Sequence, residues 1–223
     1  MRAWLAVHMA GVTLRPRIGA EFSVSLCPDH LRQTRIPRCV IVLGLGLILG
    51  GCAAGPVETF DLSALETVKL QRAPRGQLII AEPVASAPLD GDRVVVRPSP
   101  EQVATLKGAQ WRERLPRLVQ TKLVQSFENG RFLRAVARAE SRLVADVTLQ
   151  IELRRFELDV ARGEAVVEIA AKLVNEGSGR IRAADVFVAR VTASSEASSA
   201  VPALDAALRD VMEQLVPWTA RSM

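Results

Sequence analysis

The sequence predicts an α+β fold in two layers: an antiparallel sheet, built from a three-strand meander and short N-terminal strands, covered by two amphipathic helices. Three observations predict it. Residues 145–160 alternate apolar and polar side chains, the period of a strand with one buried face. Two segments, beginning near 111 and 198, repeat apolar residues at three- and four-residue spacing, the period of a helix. Short β-branched runs closed by proline supply the remaining strands.

The chain opens with a stretch that does not belong to this fold. "CVIVLGLGLILGGC", residues 39–52, is its most apolar run, and no charged residue lies between Cys39 and Leu49. At about 1.5 Å per residue, a helix of that length covers roughly half of a bilayer's hydrocarbon core, which argues against a span. Gly44, Gly46, Gly50 and Gly51 weaken a buried strand or helix, because glycine packs no side chain. Arg32, Arg35 and Arg38 precede the run and small residues close it, which is the layout of a secretory signal. Leu49-Gly50-Gly51-Cys52 resembles the lipobox of bacterial lipoproteins. Small residues let a peptidase close on the backbone before the cysteine, and the Cys52 thiol accepts the lipid. The expected products are a signal peptide over 35–51, cleaved after Gly51, and a lipidated N-terminus and tether over 52–65. The competing reading makes Cys52 a small hydrophobe at a strand end. Residues 1–34 form an N-terminal extension with no sustained period. Either translation starts downstream of Met1 or the leader is unusually long; residues 1–51 are left out of the fold.

The leader also carries most of the excess charge. Six of 29 Lys+Arg and two of 24 Asp+Glu precede Cys52, which leaves 23 basic and 22 acidic residues. The remaining chain is nearly neutral, and no aromatics interleave with basic residues, so nothing argues for nucleic acid. Both histidines, His8 and His30, lie in the leader with Cys27 and Cys39, and tyrosine is absent. Beyond Cys52 that removes Ser-His-Asp and Cys-His catalysis, zinc sites with N/S ligands and intrachain disulfides. No phosphate-binding glycine loop or nucleophile elbow is present. The chain reads as a non-enzyme without cofactor or metal, with one domain over 66–223 large enough for a real core.

Within that domain "QLIIAEP" (77–83) and "DRVVVRP" (92–98) are two short strands, joined by "APLDGD" with Asp90-Gly91 as the turn. In "WRERLPRLVQTKLVQSFENG" the residues Trp111, Leu115, Leu118, Val119, Leu123 and Phe127 share a helix face. Pro116 fits only a first turn, so the regular helix begins near Leu115, and Asn129-Gly130 is its expected left-handed cap. In the long strand, Ala145, Val147, Leu149, Ile151 and Leu153 hold one face; the phase then flips to Phe156, Leu158 and Val160. A β-bulge produces such a flip, and so does a strand end exposed on two sides. Ala161-Arg162-Gly163 turns into "EAVVEIAAKLVN", and "EGSG" turns into "RIRAADVFVARVTA". The final helix is expected to start at Ser198 or Ser199, bury Leu204, Leu208, Val211 and Leu215, and stop at Pro217 before Trp218.

The stretch from Leu89 to Val160, together with its surroundings, resembles the ABC-type transport auxiliary lipoproteins, the PqiC-like family, from about Phe60 to Trp218. The pieces that carry the likeness are the lipobox, Phe60-Asp61-Leu62 after it, Trp111, the aspartate-led strand ending in Arg154-Arg155-Phe156, and Trp218. Phe60 stands where tyrosine is usual. The resemblance implies a lipoprotein on the periplasmic face of the outer membrane of a Gram-negative envelope. Its implied partner is the MCE-domain subunit of an ABC transporter that moves lipid between the inner and outer membranes, and it carries no catalytic residues. Ala53, rather than aspartate, after Cys52 looks like the outer-membrane sorting case. A homo-oligomer stays open. Docking surfaces are a sheet edge or apolar surface near Trp111 or Trp218, with core packing as the alternative for both tryptophans. Arg154-Arg155 faces either lipid phosphates or plain solvent. A rival reading is a periplasmic lipid carrier with an apolar cavity between helices and sheet. A hydrolase using Asp146 and Glu152 is disfavoured, since six strand positions separate them by about 20 Å.

Overall fold

In a computed structural model of the chain, the structure describes residues 56–68, 76–141 and 144–223, all within the unit Ala53–Met223. In chain order its elements are β1 (Glu58–Phe60), β2 (Gln77–Ile80), β3 (Val84–Ala85), β4 (Arg93–Ser99) and β5 (Gln102–Trp111). Then follow helix α1 (Leu115–Gly130), β6 (Ala135–Arg138), β7 (Val147–Asp159), β8 (Glu164–Asn175), β9 (Ile181–Thr192) and helix α2 (Ala197–Ser222). The fold is α+β, with two helices and nine strands among the described residues.

The sheet is mixed, which corrects the expectation of an antiparallel one. β7 pairs antiparallel with β8, and β8 with β9. Along its other edge, however, β7 takes three short strands end to end, all parallel: Leu78–Ile80 against Val147–Leu149, Val84–Ala85 against Glu152–Leu153, and Val95–Arg97 against Glu157–Asp159. Residue periodicity reports which face a side chain takes, not the direction of the neighbouring strand, so this arrangement left no local mark. β6 extends the sheet beyond β2, while β5 and β1 extend it beyond β4.

The long strand contains the bulge. Leu153 pairs with Ile169 but Arg155 pairs with Glu168, so Arg154 is the extra residue. That single insertion lets Val147, Leu149, Ile151 and Leu153 continue into Phe156 and Leu158 on the same face, all at most 4% exposed. Against this row the two helices press Leu118, Leu123 and Phe127 from α1 and Leu204, Leu208, Val211 and Leu215 from α2, none more than 1% exposed. Each such side chain contributes about 1.5–3 kcal/mol on burial.

Four local expectations are revised. Trp111 ends β5 and does not open a helix; α1 begins at Leu115 with proline in its first turn, as expected. β5 itself escaped the reading because its alternation is interrupted near Gly108, whose φ of 71° suits glycine, and where the β4–β5 register shifts. The left-handed residue after α1 is Arg131 (φ 51°), with Gly130 still helical. The Asn129 amide is occupied instead in donating to the Leu65 carbonyl oxygen. Finally, α2 starts after Glu196 and runs through Pro202 and Pro217 to Ser222. A proline inside a helix costs about 3 kcal/mol, yet Val216, Thr219 and Ala220 remain buried at this end, and their packing outweighs the lost hydrogen bond.

The segment assigned to the tether joins the fold from Glu58 onward. β1 pairs with β5, and Leu62 and Leu65 are buried in the core. Leu65 N–H donates to Ser126 Oγ at 2.9 Å. Asp61 meets Lys122 Nζ at 3.0 Å and Arg112 at 2.8 Å.

A Cβ added at Gly130 would lie 2.1 Å from Cε1 of Phe132, whose ring packs edge-on to Phe127 at 6.0 Å. In an unobstructed helix Gly→Ala gains about 1 kcal/mol. Gly130→Ala is therefore expected to lower the melting temperature, because the buried ring must move; a rise in thermal denaturation would contradict this packing.

Candidate functional site

Leu49, Gly50, Gly51 and Cys52, the predicted processing and lipidation residues, lie outside the described residues. Of the two tryptophans set out as possible partner contacts, Trp111 is buried and Trp218 is partly exposed. Trp111 is 1% exposed and packs edge-on to Phe156, with centroids 5.7 Å apart. It offers nothing to a partner. Trp218 is half-buried at the rim of the core, edge-on to Phe187 at 5.4 Å. Core packing accounts for Trp111, while Trp218 packs on the core's rim and keeps part of its surface open.

The open surface is the sheet face opposite the helices. Gln150, Glu152, Lys172, Val186 and Arg190 are exposed there, with Val84 at 70%. A cleft of about 250 Å³ lies on it, lined by Val84, Gln150, Ile151, Glu152, Ala170 and Lys172. β9, twelve residues long, pairs only with β8 among the described residues and leaves its other edge free.

The bulge organises the chemistry of this face. Arg154 reaches Glu152 at 3.4 Å and Glu168 at 3.9 Å, while Arg155 reaches Glu157 at 2.7 Å and Asp159 at 3.5 Å. Two consecutive arginines thus serve the same face, which an unbroken strand forbids. From β4, Arg97 grips Glu157 with two bonds, Nε to Oε1 at 2.9 Å and Nη2 to Oε2 at 3.0 Å. Arg162 in the β7–β8 turn approaches Asp159 at 3.7 Å. The Glu157 side chain is 3% exposed. Burial pushes its pKa up, but the hydrogen bonds from Arg97 and Arg155 outweigh burial and hold it below the ordinary value. The hydrogen bond to Glu157 likewise raises Arg97. Between these groups a second cleft, of about 270 Å³, is lined by Arg97, Pro100, Arg155, Asp159, Ala161 and Arg162.

Sequence reasoning found Arg154-Arg155 but not their partners. The phase flip after Leu153 already places Glu157 and Asp159 on the face of Arg155. Arg97 joins through the parallel β4–β7 pairing alone, sixty residues away, and had no local signal.

A second charged group fixes the N-terminal segment. Burial raises the Asp61 carboxyl, and hydrogen bonds from Lys122, the Leu62 N–H and Arg112 bring it below its ordinary value. The two carboxylates weighed for hydrolysis have separate duties: Asp146 Oδ2 accepts from the Gln77 N–H at 2.8 Å, and Glu152 pairs with Arg154. Among the described residues no helix is long and apolar enough to cross a membrane.

The model of a family described as ABC-type transport auxiliary lipoprotein component matches residues 60–216. An uncharacterized protein of Bradyrhizobium diazoefficiens, bll6063, is 30% identical over 182 residues, covering 80% of this chain and 49% of that protein. The chain thus spans about half the length of this relative. The crystal structure of protein XCC0632 from Xanthomonas campestris, of family DUF330, is similar with a TM-score of 0.67 at 27% identity, covering 74% of this chain and 96% of that one. Another uncharacterized protein of known structure shares the fold at 17% identity and a TM-score of 0.54, covering 74% and 97%.

Glu157→Gln leaves two arginines around a neutral amide. Because both guanidiniums are partly exposed, the expected loss at neutral pH is about 2 kcal/mol, below the full cost of breaking a buried pair. The folded carboxyl titrates below its ordinary value of 4.5, so this stabilisation is complete above that pH and is lost as pH falls through and beneath it. Urea denaturation of both proteins should show the gap closing in acid; a gap constant from pH 7 to pH 3 contradicts the ion-pair account.

Proposed function

The chain belongs to the family of ABC-type transport auxiliary lipoprotein components, and from that premise we propose that it is a non-catalytic, lipid-anchored part of an MCE-type ABC system moving lipids between the inner and outer membranes. The observation that carries this reading is the position of the lipobox: Leu49-Gly50-Gly51-Cys52 ends eight residues before the family match begins at residue 60. The signal peptide over 35–51 is removed, Cys52 becomes the acylated first residue, and Ala53 directs the protein to the periplasmic face of the outer membrane. A single acyl chain binds a membrane only marginally, whereas a triacylated cysteine is held stably. Anchoring raises the effective concentration of the domain for an MCE-domain subunit reaching across the periplasm.

Two features support an adaptor over a lipid carrier. The space between helices and sheet is filled by Leu118, Leu123, Leu204, Leu208 and Val211, each fully buried, where a carrier needs a cavity. The charged groups on the open face are tied to one another in ion pairs, as expected of a rigid contact surface. Docking then falls to the open face and the free edge of β9, not to Trp111.

Metabolic labelling with a palmitate analogue tests the anchor. The native chain is expected to take up label, and Cys52→Ala to lose it and to accumulate with its leader attached. Equal labelling of the two proteins, or none in either, contradicts the scheme.

A further inference from the structure

We propose that one particular end of the domain, formed by the β4–β5 hairpin and the β7–β8 turn, rests on the phospholipid surface, with the arginine cleft between them turned to the headgroup phosphates. The proposal rests on the anchoring of Cys52 and adds to it the orientation of the folded body and the residues that touch the bilayer.

Chain geometry carries the first half. Four residue steps separate Cys52 from Pro56, and a fully extended chain covers at most about 14 Å in that number. The domain therefore cannot stand off from its anchor. The direction of approach follows from the strands. β1 is parallel to β5, with Glu58 opposite Ala109, and Pro56 lies beside Gly108. β5 runs from Gln102 at the hairpin to Trp111, so the chain entering β1 comes from the hairpin side.

The second half is what this end displays. β4 and β7 are parallel with Arg97 opposite Asp159, and Val160 N–H donates to the Arg97 carbonyl. The hairpin and the β7–β8 turn therefore project together. Val103 and Val160 are 44% and 40% exposed there. A cleft of about 270 Å³ opens at the same end, with Arg97, Arg155 and Arg162 on its walls. Three guanidiniums face two carboxylates, Glu157 and Asp159, in this cluster, and the Arg162 side chain is 65% exposed. Glu101, at the hairpin tip, accepts from Ser99 Oγ at 3.4 Å. Exposed valines at the same end as a cleft walled by three guanidiniums match the two layers of a bilayer interface, apolar below and phosphate above. The opposite end, where β9 begins at Ile181, then points into the periplasm.

The test uses the processed, lipidated protein in vesicles of phosphatidylethanolamine and phosphatidylglycerol. Val103→Cys, Val160→Cys and Ile181→Cys each receive a fluorophore, and the vesicles carry headgroup spin-labelled lipid as quencher. Quenching at 103 and 160 is expected to exceed that at 181 at least threefold, and Arg162→Glu to reduce quenching at 103 by half or more. Equal quenching at all three positions, stronger quenching at 181, or no effect of Arg162→Glu overturns the proposed orientation. Protein that fails to float with the vesicles removes the anchor itself, and this proposal with it, and that outcome is separable from the others.

Discussion

The structure depends on one strand keeping its apolar row on one side for its whole length. β7 runs thirteen residues from Val147 to Asp159, and its register breaks once, at Arg154. Without the extra residue, Phe156 and Leu158 would point away from the helices and Glu157 and Asp159 into them. Two buried carboxylates facing an apolar core would cost far more than any bulge. The bulge therefore holds together the core under the helices and the ionic cluster on the open face.

The same strand explains how a set of very short strands is stable. β2, β3 and β4 are four, two and seven residues long. None could hold its register alone, but each borrows the backbone of β7 as a template. Gln120 of α1 adds a clamp from the helix side, donating to the Ile80 carbonyl at 2.9 Å. The Arg97–Glu157 bonds add another from the open side. β4 is thus held by both backbone and side-chain bonds.

For function, the outcome is a division of labour across the sheet. One face is spent on stability: side chains at or near zero exposure, Trp111 among them, and two helices drawn onto them. The other face keeps charge and scattered valines in the open. In the proposed role, a stiff body with an addressable surface is what a transporter would need from such a component. Ion pairs on a β-sheet meet the requirement because strand geometry fixes the arginine stems while the heads stay near water.

Sequence by itself determined what depends on neighbours along the chain. The start of α1 at Leu115, the turn that ends in Gly163, the extents of β8 and β9 and the phase flip in β7 are all local, set by period and turn chemistry. Tertiary structure decided whatever depends on partners distant in sequence. The parallel order of β2, β3 and β4, the burial of Trp111, the survival of α2 through Pro217 and the recruitment of Arg97 to Glu157 each follow from contacts made only after the chain closes on itself. Alternation tells a side chain which face to take; only the folded sheet tells it which residue waits there.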